Sequence, residues 1–163
     1  MTSIERKADK LIKKVLSKCN NEQTLQTTIH PEISFKYNSI NLLVARRGVG
    51  KTFSVMKELI KLSQLPNKGG YTTFIYVSDK TNDSTVNELI KHIKLKVRQV
   101  SYEDVLKVMD DIIDAKSALE DAIRKDIIDD LTENTVEDLK TTLDLNDLHV
   151  TELPHTAILL DVQ

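Results

Sequence analysis

The octet Ala45-Arg46-Arg47-Gly48-Val49-Gly50-Lys51-Thr52 lies between an apolar run, Ile40, Leu42, Leu43 and Val44, and an amphipathic one. That order of strand, tight loop and helix constrains the fold more than any other feature of the chain. Glycines at 48 and 50 let the backbone open so that successive N–H groups converge on phosphate oxygens. In such a loop Lys51 reaches the β- and γ-phosphates of a nucleoside triphosphate such as ATP, and the Thr52 hydroxyl holds Mg²⁺. The residues placed on the phosphates are Arg47, Gly48, Val49, Gly50, Lys51, Thr52 and Phe53, with the positive end of the next helix facing the same anion. Ala45 stands where such loops usually carry a first glycine, and a methyl is tolerable where the chain has just left a strand. A short pattern with one mismatch also arises by chance, but the flanking elements are those the motif demands. Phe53, Val55, Met56, Leu59 and Ile60 form the helical stripe, which ends before Pro66 and Gly69-Gly70.

With 163 residues, 40% of them hydrophobic, the chain is sized for one domain with a real core, and no apolar stretch is long enough to cross a bilayer. Met1-Thr2-Ser3-Ile4-Glu5-Arg6 lacks the apolar core of a secretory signal. The single Cys19 excludes an internal disulfide framework and a cysteine zinc cluster and suits a reducing compartment. His30, His92, His149 and His155 are scattered without metal-ligand spacing and receive no chemistry. The net charge of −2 conceals a balance of +10 over residues 1–102 and −12 over residues 103–163. A basic half can approach nucleic acid, or the two halves can be solvated helix faces that attract each other. No aromatic-rich basic stripe for stacking bases accompanies it.

Ile4, Ala8, Leu11, Ile12, Val15 and Leu16 share one helical face, so residues 1–30 read as an N-terminal helical appendage and residues 31–163 as the principal domain. Ile33, Phe35 and Tyr37 alternate and predict a short strand. Tyr71 to Val77 is dense in β-branched and aromatic residues and predicts a core strand ending in the polar tip Ser78-Asp79-Lys80. In an open parallel sheet that tip can lie near a ligand, although Asp79 alone reads as an ordinary loop residue. Val86, Leu89, Ile90, Ile93 and Val97 predict a further helix capped by Asn82, Asp83 or Ser84, with a short strand over 98–100. Ser101 and Asp104 resemble a capping box at the start of a long acidic helical stretch reaching Leu131. Its paired aspartates, Asp110-Asp111 and Asp129-Asp130, lack the glycine turn of a calcium loop and read as a solvated face.

Ala157-Ile158-Leu159-Leu160 is a continuous apolar run ending in Asp161, the form of a buried parallel strand whose terminal acid holds magnesium beside the loop hydroxyl. The expectation is a central strand next to residues 40–44, bringing Asp161 close to Thr52. Many ATPases place a glutamate directly after this aspartate to polarise water, whereas Val162 and Gln163 follow here. Gln163 can orient water without accepting its proton. The catalytic group is therefore read as Lys51, Asp161 and Gln163, and the domain as incomplete after this strand.

Together Arg47-Gly48-Val49-Gly50-Lys51-Thr52, the strand ending Tyr76-Val77-Ser78, and His155-Thr156-Ala157-Ile158-Leu159-Leu160-Asp161 resemble the genome-packaging ATPases of DNA viruses. The FtsK–HerA type of poxviruses, other large DNA viruses and virophages is the nearest likeness, with large terminase subunits second. The resemblance covers residues 40–163 and implies an α/β, three-layer P-loop NTPase-type sandwich with a mostly parallel sheet and a long helical insert. It further implies ATP and Mg²⁺ as cofactors, a homo-oligomeric ring on double-stranded DNA, and a capsid or portal partner, with no membrane. The expected location is the host-cell cytoplasm, in a viral factory, and the virion. The second acid, later strands, sensor residue and arginine finger of that family have no counterpart here. Arg46 and Arg47 are either phosphate contacts or solvent-facing charges. The other class of function is a nucleotide-binding regulatory or assembly protein that hydrolyses little. A small-molecule kinase fits less well, since no arginine-rich lid follows the loop helix.

Overall fold

Tyr71–Val77 forms β1, and six of its seven residues are buried, as expected of a parallel strand flanked on both edges. The computed structural model describes residues 6, 9–12, 28–46, 48–79 and 83–161. After the octet comes α1, Lys51–Gln64, which ends where Leu65 turns extended ahead of Pro66. A 3₁₀ segment, Pro66–Gly70, carries Asn67 and Lys68 at positive φ and leads into β1. Then follow α2 (Ser84–Lys91), β2 (Lys96–Val100), α3 (Val105–Arg124), a 3₁₀ turn (Ile128–Asp130), α4 (Glu133–Leu143) and β3 (His155–Leu160).

The protein is α/β, with a three-stranded parallel sheet in the order β2-β1-β3. Phe74 pairs with Val97 on one side and Ala157 on the other, so the three strands run in step toward a common carboxyl end. Side chains alternate across β1. Ile75 and Val77 enter a cluster with Val105, Ile112, Ala115, Leu119, Leu139 and Leu143, which places α3 and α4 on one face. Phe74 and Tyr76 point to the other face and are also buried, as are Met56, Leu59 and Leu62 of α1. The Asp83 side chain accepts from Thr85 N and Val86 N and is the cap of α2.

Several expectations require correction, the first being Val97, which lies in β2 and not in α2, a helix that ends at Lys91. Residues 40–44 are not a strand: they lie in no ladder, and Ile40, Leu42 and Val44 are 102%, 88% and 80% exposed. Both edges of β1 are taken by β2 and β3, and an apolar run without a hydrogen-bonding partner gains little from extended structure. The strand expected over Ile33–Tyr37 reduces to an isolated antiparallel bridge between Thr28 and Lys36, with buried Ile33 donating its N–H to His30 O in the intervening turn. The long acidic helix stops at Arg124, and α4 is a separate helix. Asp126 adopts φ 54°, and Ile127 N donates to Ala122 O at 3.0 Å, a left-handed helix ending normally built on glycine. Ser101 Oγ donates to Asp104 Oδ2, and α3 begins after Asp104 without a side-chain cap.

The chain divides into two units, Met1–Leu43 and Val44–Gln163. In the first, Arg6 and residues 9–12 are helical; Ile4, Ala8, Val15, Leu16 and Cys19 lie outside the described residues. No described helix is long and apolar enough to cross a membrane.

Candidate phosphate and metal site

The octet turns into α1 through Gly48 and Gly50, at φ 83° and 82°. A Cβ at either would meet nothing within 4 Å, so glycine serves the left-handed backbone and not a lack of room. Any other residue there is strained by about 1–2 kcal/mol. Gly50 is the N-cap of α1, and both the N–H and the hydroxyl of Ser54 donate to its carbonyl. The first turn of a 14-residue helix therefore opens at the loop, and a helix N-terminus with its N–H groups and dipole is suited to an anion. Lys51 folds back across the loop, donating from Nζ to Ala45 O at 2.5 Å and Arg46 O at 3.4 Å. Val49 and Phe53 are 61% and 51% exposed, so Phe53 belongs to the loop side and not to the buried stripe of α1.

Thr52 and Asp161 are 109 positions apart in sequence, yet Thr52 Oγ1 donates to Asp161 Oδ2 at 3.4 Å. The backbone explains the approach. Asp161 directly follows β3, and its N–H donates to Val77 O at 3.0 Å, carrying the ladder one residue past the strand. β3 is a parallel strand as expected, but it borders β1 and forms an edge of the sheet; it is not a central strand beside residues 40–44.

Two tyrosines that sequence reading assigned no role complete the surroundings of Asp161. Tyr76 donates its hydroxyl to Asp161 Oδ2 at 2.7 Å, and the Tyr102 hydroxyl donates to the Asp161 carbonyl. Asp79, at the tip after β1, accepts from Tyr102 N at 3.3 Å. Burial first, and then the bond to Asp161, push the Tyr76 phenol up to about 12. Burial and the charges of Asp161 and Asp79 also raise Tyr102. Both phenols thus remain protonated donors at neutral pH. A tyrosine inside an apolar strand reads as core from sequence; only the register across β3 reveals that its oxygen reaches the acid.

These groups gather beyond the carboxyl ends of the strands, where ligands of open parallel sheets lie. The residues present fit a phosphate and a divalent cation: a helix N-terminus behind glycines of positive φ, one ammonium, one hydroxyl and one carboxylate. Among the described residues no group of three or more histidine, cysteine or acidic side chains could hold a metal. Mg²⁺ is bound through one or two protein oxygens together with substrate phosphates and water, and Thr52 and Asp161 offer two such oxygens. Arg47 and Gln163 lie outside the described residues. A separate cleft of about 530 Å³, lined by Lys96, Arg98, Asp111, Asp114 and Asp138 among others, mixes both charge signs and contributes nothing to this cluster.

No family model matches the chain, and no curated protein or solved structure matches it.

Proposed function

We propose that the chain binds ATP with Mg²⁺ at the loop 45–52 and belongs to the P-loop NTPases, as an ATPase of the type that packages double-stranded DNA into viral capsids. One observation carries the reading: the hydroxyl that follows the loop lysine and the acid that ends the last apolar strand meet at 3.4 Å. A chance octet gives no reason for that encounter. In this reading α1 and the α3–α4 pair are the outer layers of a P-loop sandwich. Gly48, Val49 and Gly50 present backbone N–H groups to the phosphates, with Arg47 and Phe53 beside them. Lys51 leaves Ala45 O and Arg46 O to pair with phosphate oxygens, and Thr52 and Asp161 hold the cation. Bound Mg²⁺·ATP supplies the phosphoanhydride whose hydrolysis does work. Gln163 orients water. The DNA substrate, the homo-oligomeric ring, the capsid or portal partner and the viral-factory location follow from the family resemblance and are proposed with it.

A second reading, a nucleotide-dependent regulatory or assembly protein, is favoured by the residues around Asp161. Among the described residues the side chains that hydrogen-bond to it are Thr52, Tyr76 and Tyr102, whose phenols stay protonated at neutral pH, and Val162, next in sequence, is apolar, so none of these four takes a proton from water.

The deciding experiment is thermal unfolding with ATP and Mg²⁺, comparing the wild type with Lys51→Ala. Ligand at 100 times Kd stabilises by about 2.7 kcal/mol, which raises Tm by roughly 5–10 °C in a chain of this size. Lys51→Ala should unfold at the wild-type temperature without ligand and lose the rise. The same rise in both proteins would refute the phosphate site. Hydrolysis stimulated by double-stranded DNA separates the motor from the regulatory protein.

A further inference from the structure

We propose that Tyr76 is a positioning residue for the cation site: its hydroxyl, bound to Asp161 Oδ2, holds the carboxylate in the orientation that a divalent cation requires. This rests on the reading of Thr52 and Asp161 as metal-holding groups. Tyr76 pairs in register with Leu159, and Asp161 lies two residues farther along the same face. Two residues of parallel strand advance about 6.6 Å, a span that a phenol ring with its oxygen can bridge, and the 2.7 Å bond shows that it does.

The contrast with Thr52 assigns the role. Thr52 reaches the same oxygen at 3.4 Å, a long contact for an O–H donor, and a hydroxyl that turns toward a cation must give that contact up. Tyr76 is only 4% exposed, its ring fixed in the sheet, so its bond to Asp161 persists whichever way Thr52 turns. A short hydrogen bond to a carboxylate is of the stronger, charge-assisted kind. Tyr102 meanwhile anchors the Asp161 carbonyl, so side chain and backbone are held by different tyrosines. Partners of this sort orient metal ligands, and their loss typically lowers metal affinity about 10–100-fold.

The test is calorimetric titration of ATP with and without Mg²⁺, on the wild type, Tyr76→Phe, Asp161→Ala and the double variant. Tyr76→Phe should keep metal-free ATP affinity within about twofold while the enhancement by Mg²⁺ falls about tenfold. In the Asp161→Ala background the same change should have no further effect. A wild-type enhancement retained in full by Tyr76→Phe, or an equal loss with and without Asp161, overturns the proposal and leaves the ATP reading standing. A wild type that binds no ATP overturns both. Should Tyr76→Phe not fold, 3-fluorotyrosine placed at position 76 retains the hydroxyl. Its ¹⁹F resonance should then move with ATP and Mg²⁺ beyond its position with ATP alone. A resonance indifferent to the metal overturns the proposal.

Discussion

At the scale of single residues, Thr52 has two lives: it donates to Asp161 in this structure, and it offers a lone pair to a cation in the proposed complex. Thr52→Ala removes both, yet the loop N–H groups and Lys51 remain to hold phosphate. ATP affinity should therefore drop about tenfold or more with Mg²⁺ present and change little when EDTA removes the metal; equilibrium titration under the two conditions checks this. Much of the site was legible at this scale, because glycines, a lysine and a threonine in fixed order specify a local backbone whatever surrounds them. Asp161 was legible as the polar end of an apolar run. Tyr76 and Tyr102 were not, since their roles depend on strand register and on a turn that brings Tyr102 beside Asp79. Phe53 was misplaced for a related reason: at the first turn of α1 its helical position matched the stripe, but the buried face begins at Met56.

At the scale of elements, the strands β1 and β3 and the helix α1 follow from long apolar or periodic runs, whereas the helix endings near 125 and 144 are hidden. Sequence reading looks for glycine where a helix closes in the left-handed region. Here aspartates do it: Asp126 has φ 54° and Asp144 has φ 53°, and Leu145 N donates back to Lys140 O at 2.9 Å. The run 40–44 fails in the opposite way, since its composition asks for a strand but pairing decides whether one forms. The two aspartates should respond oppositely to glycine. Asp126 is exposed, so Asp126→Gly relieves backbone strain and should raise Tm by roughly 2–4 °C, for about 1 kcal/mol. Asp144 receives Arg98 at 2.9 Å and the hydroxyl of Thr73, which is 1% exposed. Asp144→Gly leaves those groups short of a partner and should cost roughly 2 kcal/mol despite the relieved φ. Differential scanning calorimetry of the two variants measures both signs.

At the scale of the whole molecule, stability should carry an acid-side slope traceable to one histidine. His155 opens β3, packs its ring against that of Tyr71 at a tilt of 38° with centroids 5.2 Å apart, and lies so close to Gly70 that a Cβ there would meet its ring at 3.2 Å. Burial, and then the Lys116 charge, lower its affinity for protons below that of an ordinary histidine. Burial likewise lowers Lys116. The unfolded chain then binds the proton more tightly than the folded one, so the contribution of His155 is complete above about pH 6.5 and is lost as pH falls through its lower folded value. His155→Gln should flatten the decline of Tm between pH 7 and pH 5 relative to wild type; parallel profiles would contradict the assignment. The placement of β3 at the border of the sheet also has a kinetic signature. Asp161 N faces β1, so by the two-residue repeat the amides of Ala157 and Leu159 face it too, while those of Thr156, Ile158 and Leu160 face away. In deuterium oxide β3 should therefore exchange as a comb, slow and fast amides in alternation, while every amide of β1 from Thr73 onward exchanges slowly. Residue-resolved NMR would read that comb directly, and a partner strand added along the side of β3 that no described strand occupies would erase it by slowing the fast teeth alone.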